Sequence, residues 1–212
     1  MNVVITMKQY CTNCVYKSLP NTQKLFSENE TIFLEGNELN NVYVIEEGLV
    51  KISKIFINGE EKIFDILGPG EFLALVAVLK GDKEYIATAV ALSDCVVSVM
   101  EKDIVKEAYT SSNKFKDMCL SCAMTRTNLF QSQLSNSLNE DIEERIINVL
   151  TFLSSKFGEL IHFEHTLKLP ISKTMLAGIV GIRRETLSRK LSKMKKDGII
   201  TIDKNIYKFR GV

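Results

Sequence analysis

The chain has 212 residues, 45% of them hydrophobic, which suits one or two domains with a buried core in each. No apolar run approaches the length of a membrane span and no charged-then-apolar leader begins the sequence, so we expect a cytoplasmic protein without a membrane-spanning segment. Five cysteines without a secretion leader favour reduced thiols, metal or redox chemistry over a disulfide scaffold.

Four of the cysteines form two Cys-x-x-Cys pairs. Cys11 and Cys14 lie in the N-terminal segment, and Cys119 and Cys122 are one turn apart on the same side of a predicted helix. Together the pairs could supply four thiolates to zinc or to an iron–sulfur cluster. The alternative is that the second pair is helix packing and the first pair is two ordinary exposed thiols. Cys95 lies in an alternating apolar run, which favours a small core residue.

Short β-strands are predicted through most of the N-terminal half. Asn58-Gly59 between two alternating runs is a strong hairpin signal. Glycine-containing turns separate the other runs, and this spacing favours a jelly roll or barrel. The predicted strands are Thr31–Leu34, Val42–Ile45, Leu49–Ile57, Lys62–Leu67 and Ala87–Val99.

A long helix is predicted over residues 112–137, which lack Gly and Pro. Arg126, Gln133 and Ser137 lie near its apolar side and would interrupt a coiled-coil seam. The apolar positions, at spacings of three and four, predict one stripe formed by Phe115, Cys119, Ala123, Thr127, Phe130 and Leu134. A further helix is predicted to start at Asn139-Glu140-Asp141.

Residues 172–194 have the pattern of a helix-turn-helix. Ser172 is placed to cap a first helix, and Gly181 permits the tight turn that follows it. Apolar residues at helical spacing give the two helices their inner faces. The other face of the second helix carries polar groups where a recognition helix reaches base edges, namely Arg184, Glu185, Ser188 and Arg189.

The charge distribution and the C-terminal residues support a nucleic-acid-binding module. Residues 168–212 carry a net charge of +9, whereas the rest of the chain carries −8. Such a basic segment neutralises phosphates and makes binding salt-dependent. Two apolar runs, 198–202 and 206–209, flank Asp203-Lys204-Asn205 and predict a β-hairpin, so the module is a winged helix.

The Arg-Glu-Thr-x-Ser-Arg string after Gly-x-x resembles the recognition helix of the Crp/Fnr regulators, the relatives of the cyclic-AMP receptor protein. The resemblance implies that Arg184 donates to guanine, Glu185 accepts from a cytosine amino group and Arg189 contacts guanine or phosphate. Ser188 stands where the oxygen-sensing branch also has serine. The remaining candidates for DNA contact are Ser172, Lys173, Arg183 and Lys204, of which Ser172 and Lys204 are expected to touch phosphate.

The order of the N-terminal strands also resembles the cyclic-nucleotide-binding β-roll of this family, from about residue 25 onward. The implied fold is α+β, with a β-roll sensor domain at residues 1–110 that includes an N-terminal Cys-containing segment at 1–24. A dimerisation helix at 111–137 and a winged helix-turn-helix at 138–212 follow it. The implied partners are a second copy of the chain, a palindromic operator in double-stranded DNA and RNA polymerase.

The resemblance weakens where the family holds cyclic AMP. An ungapped alignment from Phe72 puts Leu75 at the glutamate position and Tyr85 at the arginine position, while Phe130 and Gln131 replace the small hydroxyl residues that touch the base. A buried phosphate needs donors to offset its desolvation, so we predict no cyclic AMP in the usual mode. Leu75 and Tyr85 are then expected to fill the core of the roll. The alternative is an effector pocket for an apolar ligand or haem, which Leu75, Tyr85 and Phe130 would line.

The cysteines differ from those of the oxygen-sensing branch, which the resemblance implies hold an iron–sulfur cluster. Pro20 stands where a third N-terminal cysteine is expected, and Ser98 occupies the position of the cysteine on the roll. Two other classes stay open from the residues alone. Cys11 and Cys14 could be the thiol–disulfide exchange motif of an enzyme with a thioredoxin-like βαβ fold, although the predicted strands that follow lack the crossover helices of that fold. A signal-independent architectural protein would need no base-reading side chains.

Overall fold

The computed structural model describes residues 15–57, 59, 61–138, 141–161, 164–168 and 171–210; at 129, 132, 133, 137 and 159–161 it describes the backbone alone. The chain divides into two compact units. Among the described residues, the first unit comprises 15–128 and the second begins at residue 129.

Two four-stranded antiparallel sheets form the first unit. One has the strand order β1-β8-β3-β6 and the other the order β2-β7-β4-β5. The strands are β1 (Thr22–Phe26), β2 (Thr31–Phe33), β3 (Asn41–Glu47), β4 (Val50–Ile55), β5 (Glu61–Leu67), β6 (Phe72–Leu73), β7 (Thr88–Ala91) and β8 (Cys95–Glu101). The helices are a 3₁₀ turn at Val15–Ser18, α1 (Leu75–Lys80), α2 (Lys102–Ser111) and the start of α3 (Asn113–Ser137).

The core of this unit lies between the two sheets, which confirms the predicted β-roll. β3 pairs with β8 on one side and with β6 on the other, and its residues 42–45 are all buried. Aromatic rings join the sheets across the core, since Phe33 of β2 stacks on Tyr43 of β3 with ring centroids 5.4 Å apart. The roll therefore closes around its own side chains.

Two sequence-based expectations about the strands are wrong. The predicted strand Ala87–Val99 is two strands, because residues 92–94 turn the chain from one sheet into the other. There Leu92 N–H donates to the Leu49 carbonyl at 2.7 Å and Leu49 N–H donates to the Ser93 hydroxyl at 3.1 Å. The predicted strand Leu49–Ile57 ends at Ile55, and the next two residues are exposed.

The long helix is confirmed as α3, but its single predicted apolar stripe is wrong. Phe115 and Cys119 are buried against the roll, whereas Phe130 and Leu134 are 47% and 63% exposed. Arg126 lies 4.0 Å from Asp65 of β5, so it packs on its own roll and does not interrupt a seam. A separate, exposed apolar face runs along the helix through Leu120, Met124, Leu134 and, just beyond its end, Leu138.

Besides the end of α3, the described residues of the second unit form three helices and a four-stranded sheet of order β11-β12-β10-β9. Its elements are α4 (Ile142–Phe157), β9 (Glu159–Ile161), β10 (Glu164–Lys168), α5 (Lys173–Val180), α6 (Arg184–Lys196), β11 (Ile200–Asp203) and β12 (Ile206–Phe209). The predicted C-terminal hairpin is confirmed as β11 and β12. Asp141 caps α4, since its carboxylate accepts from the N–H of Glu143 at 2.8 Å.

Candidate nucleic-acid interface

Capping residues define the ends of α5, and a side chain of α4 bonds to the turn that leads into α6. The Ser172 hydroxyl accepts from the N–H of Met175 at 3.2 Å and thereby starts α5. Gly181 ends α5 at φ 75°, a left-handed conformation that glycine adopts without strain. Arg145 of α4 donates from Nη2 to the Val180 and Gly181 carbonyls, which have no partner within α5. The guanidinium group of Arg145 thus holds the turn between α5 and α6 against α4.

The first two turns of α6 present the polar side chains that the sequence singles out. The helix buries one face through Leu187, Leu191 and Met194. Arg184, Glu185 and Arg189 are exposed and Ser188 is half-buried. Within the part of the chain that the structure describes, these four side chains make no hydrogen bond or ion pair. Their donors and acceptors are therefore available to a ligand.

The other predicted DNA contacts lie on three different elements of the second unit. Lys173 is the first residue of α5, Arg183 is the N-cap residue of α6, and Lys204 lies in the turn between β11 and β12. All three are exposed, as is Ser172. The Ser172 oxygen already accepts from the backbone, so its remaining capacity toward a phosphate is as a donor.

Other lysines of the basic segment are engaged within the protein, which the sequence analysis missed. Lys190 and Lys193 both donate to Oε1 of Glu143, at 2.9 and 3.0 Å. These two bonds hold the pKa of Glu143 below its ordinary value. Lys195 donates to the Ile202 carbonyl at 3.1 Å. No sequence signal marks the Glu143 pairs, because more than 45 residues separate the partners.

The end of α3 is linked to α4 within the same unit. The Asn136 amide donates to the Arg145 carbonyl at 3.3 Å, and the Asn148 amide donates to the Asn136 side-chain oxygen at 2.9 Å. Arg145 in turn donates to the turn between α5 and α6. A chain of polar contacts therefore runs from α3 to the helix-turn-helix.

The predicted pocket residues of the roll are buried by the protein itself. Leu75 is the first residue of α1 and is 4% exposed. Tyr85 is 5% exposed, and its ring stacks on Phe33 with centroids 4.1 Å apart. Its hydroxyl lies 3.3 Å from that of Tyr43 and exchanges hydrogen bonds with the Asn41 backbone at 3.2 Å. Phe130 belongs to the second unit and is exposed, so only two of the three are core residues.

Cys95 has the environment of a structural residue. It is buried, and its thiol donates to the carbonyls of Leu49 and Ser93 at 3.3 and 3.2 Å. Burial raises the pKa of this thiol, which disfavours the reactive thiolate. A Cβ on Gly48 would lie 2.6 Å from the Cys95 sulfur, so the strand and the turn pack without spare room.

The two Cys-x-x-Cys pairs are described to different extents. Cys119 is buried and Cys122 half-buried on the side of α3 that packs against the roll. Cys11 and Cys14 lie outside the described residues. The described residues contain no group of three or more His, Cys, Asp or Glu side chains placed to hold a metal ion.

One of the two histidines also lies in the described part of the chain. His165 of β10 stacks on Phe209 with centroids 5.1 Å apart, and its Nδ1 lies 2.9 Å from the hydroxyl of Ser154. Burial lowers its pKa, so the neutral form is favoured. His162 lies outside the described residues.

These two units define a class of protein: a β-roll of cyclic-nucleotide-binding type followed by a winged helix-turn-helix. A family model of the cyclic nucleotide-binding domain matches residues 23–112, and one of the Crp-like helix-turn-helix domain matches residues 144–208. The chain belongs to the Crp/Fnr family of DNA-binding transcription regulators. The described helices include none with the length and apolar character that crossing a membrane requires.

Similar proteins are regulators and not enzymes. A global nitrogen regulator of Nostoc sp. is 24% identical over 88% of this chain and 84% of its own length. The regulatory protein HlyX of Actinobacillus pleuropneumoniae is 23% identical over 85% of this chain and 74% of its own length. The solved structure of FixK2 from Bradyrhizobium japonicum aligns with a TM-score of 0.79 at 18% identity, covering 91% of this chain and 94% of its own.

Proposed function

We propose that the protein is a homodimeric, sequence-specific regulator that reads a palindromic operator with the first two turns of α6. The observation that carries this proposal is that the exposed Arg184, Glu185 and Arg189 and the half-buried Ser188 have side chains without partners within the described residues. Arg184 and Arg189 provide bidentate donors for guanine or phosphate, and Glu185 accepts from a cytosine amino group. A signal-independent architectural protein would not need this combination.

The test compares a base contact with a phosphate contact. Arg184→Ala removes a bidentate donor and should cost about 1–3 kcal/mol of discrimination at one base pair of each half-site. Lys196→Ala, at an exposed position of the last turn of α6, should weaken binding to every sequence alike. Fluorescence anisotropy on the operator and on its single-base variants measures both effects. Equal, sequence-blind losses from the two substitutions would favour the architectural protein and contradict the proposal.

The second copy of the chain is proposed to cover the outer face of α3. Leu120, Met124, Leu134 and Leu138 are all more than half exposed on this face, and their spacing is that of a coiled-coil seam. Leu120→Glu should convert the dimer to a monomer in sedimentation velocity. Lys114→Glu, at an exposed position of α3 about 120° around the helix from Leu120, is the matched control that should leave the dimer intact. A dimer of unchanged stability in both variants would contradict this interface.

The roll is proposed to bind no cyclic AMP in the family's usual mode. Tyr85 and Leu75 occupy the positions of the charged groups, and Tyr85 is fixed by stacking and by hydrogen bonds inside the core. A nucleotide phosphate there would lose its hydration without gaining a cation. Isothermal titration with cyclic AMP should show no heat of binding, whereas a stoichiometric exotherm would contradict the assignment.

A redox or metal signal is the second candidate, through Cys11, Cys14, Cys119 and Cys122. The observation that favours it is the packing of Val15 and Tyr16, which directly follow Cys14, into the same apolar core as Cys119. Iron, zinc and acid-labile sulfide should be measured on anaerobically purified protein. Absence of all three would exclude the metal version.

A signal received at the roll or at the cysteines is proposed to act by shifting the dimer helices. Asn136 at the end of α3 bonds to α4, and Arg145 of α4 bonds to the turn before the recognition helix. Movement of α3 would therefore change the spacing of the two recognition helices. We also propose that the protein acts in the cytoplasm and that RNA polymerase is one of its partners. Operator affinity that is insensitive to oxidation, metal and small-molecule extracts would contradict the switch.

A further inference from the structure

Glu143 lies outside the helix-turn-helix but contacts the recognition helix directly. It is in the first turn of α4, and its Oε1 accepts from Lys190 at 2.9 Å and from Lys193 at 3.0 Å. Both lysines lie on α6, three residues apart and therefore on one side of the helix. One carboxylate thus binds two of the cations that the basic segment contributes.

This side of α6 is neither the buried face nor the face that carries the base-reading residues. With successive residues about 100° apart on the helix, Lys190 and Lys193 fall between the buried Leu187 and Leu191 and the exposed Arg189. Their long side chains could reach phosphates if they were released. While they bond to Glu143, their ammonium groups are directed toward α4.

The contribution of these pairs to folding is small, so stability is a poor reason for the arrangement. The side chains of Glu143, Lys190 and Lys193 are 21%, 28% and 59% exposed, and ion pairs that water still reaches add little to the free energy of unfolding because water and salt screen them. The two lysines matter more for DNA binding than for folding. Each lysine that binds a phosphate releases counterions and strengthens binding to any sequence.

We propose that Glu143 is a positioning residue that withdraws Lys190 and Lys193 from phosphate binding and so limits the sequence-independent part of DNA affinity. Phosphate contacts position the protein but do not read bases, and a genome offers a large excess of non-specific sites. Fewer available cations leave a greater share of the binding free energy to Arg184 and its neighbours. The inference rests on the proposed use of α6 for DNA binding.

The test is the salt dependence of binding to the operator and to a scrambled duplex of the same composition. Glu143→Gln should steepen the slope of log K against log salt by up to about 1.8 on both duplexes, about 0.9 for each released lysine. Between 50 and 200 mM salt this adds a roughly 12-fold loss of affinity beyond that of the wild type. Glu143→Asp should restore most of the wild-type slope.

Two controls separate this effect from a change in net charge or in folding. Glu144→Gln makes the same charge change at an exposed neighbour in the same turn and should leave the slope at the wild-type value. The double substitution Lys190→Gln with Lys193→Gln should change the wild-type slope little, but should remove the added slope in the Glu143→Gln background.

Three results would overturn the inference. They are a Glu143→Gln slope equal to that of Glu144→Gln, a weaker affinity with an unchanged slope, or a double-lysine variant that loses about 1.8 in slope in the wild-type background. The double-lysine variant keeps Glu143, so its slope is informative even if Glu143→Gln fails to fold. Failure of the proposed function appears differently, as equal wild-type affinity for operator and scrambled duplexes.

Discussion

Tyr85 offers the sharpest test of a roll that is filled by its own side chains. Tyr85→Phe removes the hydroxyl that bonds to the Asn41 N–H and carbonyl and leaves these backbone groups unsatisfied, which should cost about 1–2 kcal/mol. Tyr85→Ala also removes the ring that stacks on Phe33 at 4.1 Å, and the remaining cavity should raise the cost to about 3–5 kcal/mol.

The assay is guanidinium unfolding, combined with hydrogen–deuterium exchange of peptides from the first unit so that the loss is assigned to the roll. Tyr109→Phe removes a hydroxyl from a tyrosine that is 39% exposed, and it should change stability by less than about 0.5 kcal/mol. If Tyr85→Ala costs no more than Tyr85→Phe, the ring does not fill the core and the argument against a nucleotide pocket fails.

Three further predictions concern the second unit and the turn beside Cys95. Arg145→Met leaves the carbonyls at the end of α5 without a cationic donor, so thermal unfolding of the DNA-binding unit should show a loss of about 1–3 kcal/mol; an unchanged melting temperature would refute this pinning role. Burial depresses the pKa of His165, so this unit should have its full stability above about pH 6.5, the ordinary pKa of histidine, and lose stability as the pH drops below it. Urea titrations across pH 5–8 measure this dependence, and His165→Phe should abolish it. Gly48→Ala puts a Cβ 2.4 Å from the Asp94 carbonyl and should destabilise the roll far more than Gly59→Ala, whose Cβ meets no atom within 4 Å and adds only about 1–2 kcal/mol of left-handed backbone strain; similar unfolding midpoints for the two variants would contradict the close packing.

The DNA-binding unit could be predicted closely from the sequence because its determinants are local. A cap at Ser172, a left-handed glycine at 181 and apolar residues at helical spacing lie within 25 residues, so the two helices can be recognised from this segment alone. The residues proposed to read bases follow from the same register, since Leu187 and Leu191 fix which face is buried. The exposure of Arg184, Glu185 and Arg189 is the direct consequence.

The features that could not be predicted depend on tertiary contacts. Apolar spacing along α3 does not distinguish a residue that packs on the roll, such as Phe115, from one that stays exposed, such as Leu134. The turn at residues 92–94 interrupts an otherwise continuous apolar run, and its hydrogen bonds go to Leu49 on a distant segment. Likewise, Lys190 counts as an available cation until the fold places Glu143 beside it.

Base reading by α6 is measured by selecting binding sites from a random duplex library with the purified protein. We expect an enriched palindrome whose two half-sites lie about one helical turn apart, with Arg184→Ala losing its preference at one symmetric pair of positions and keeping the rest. An unenriched library under both reducing and oxidising conditions, or an identical motif from the wild type and Arg184→Ala, would contradict base reading by α6.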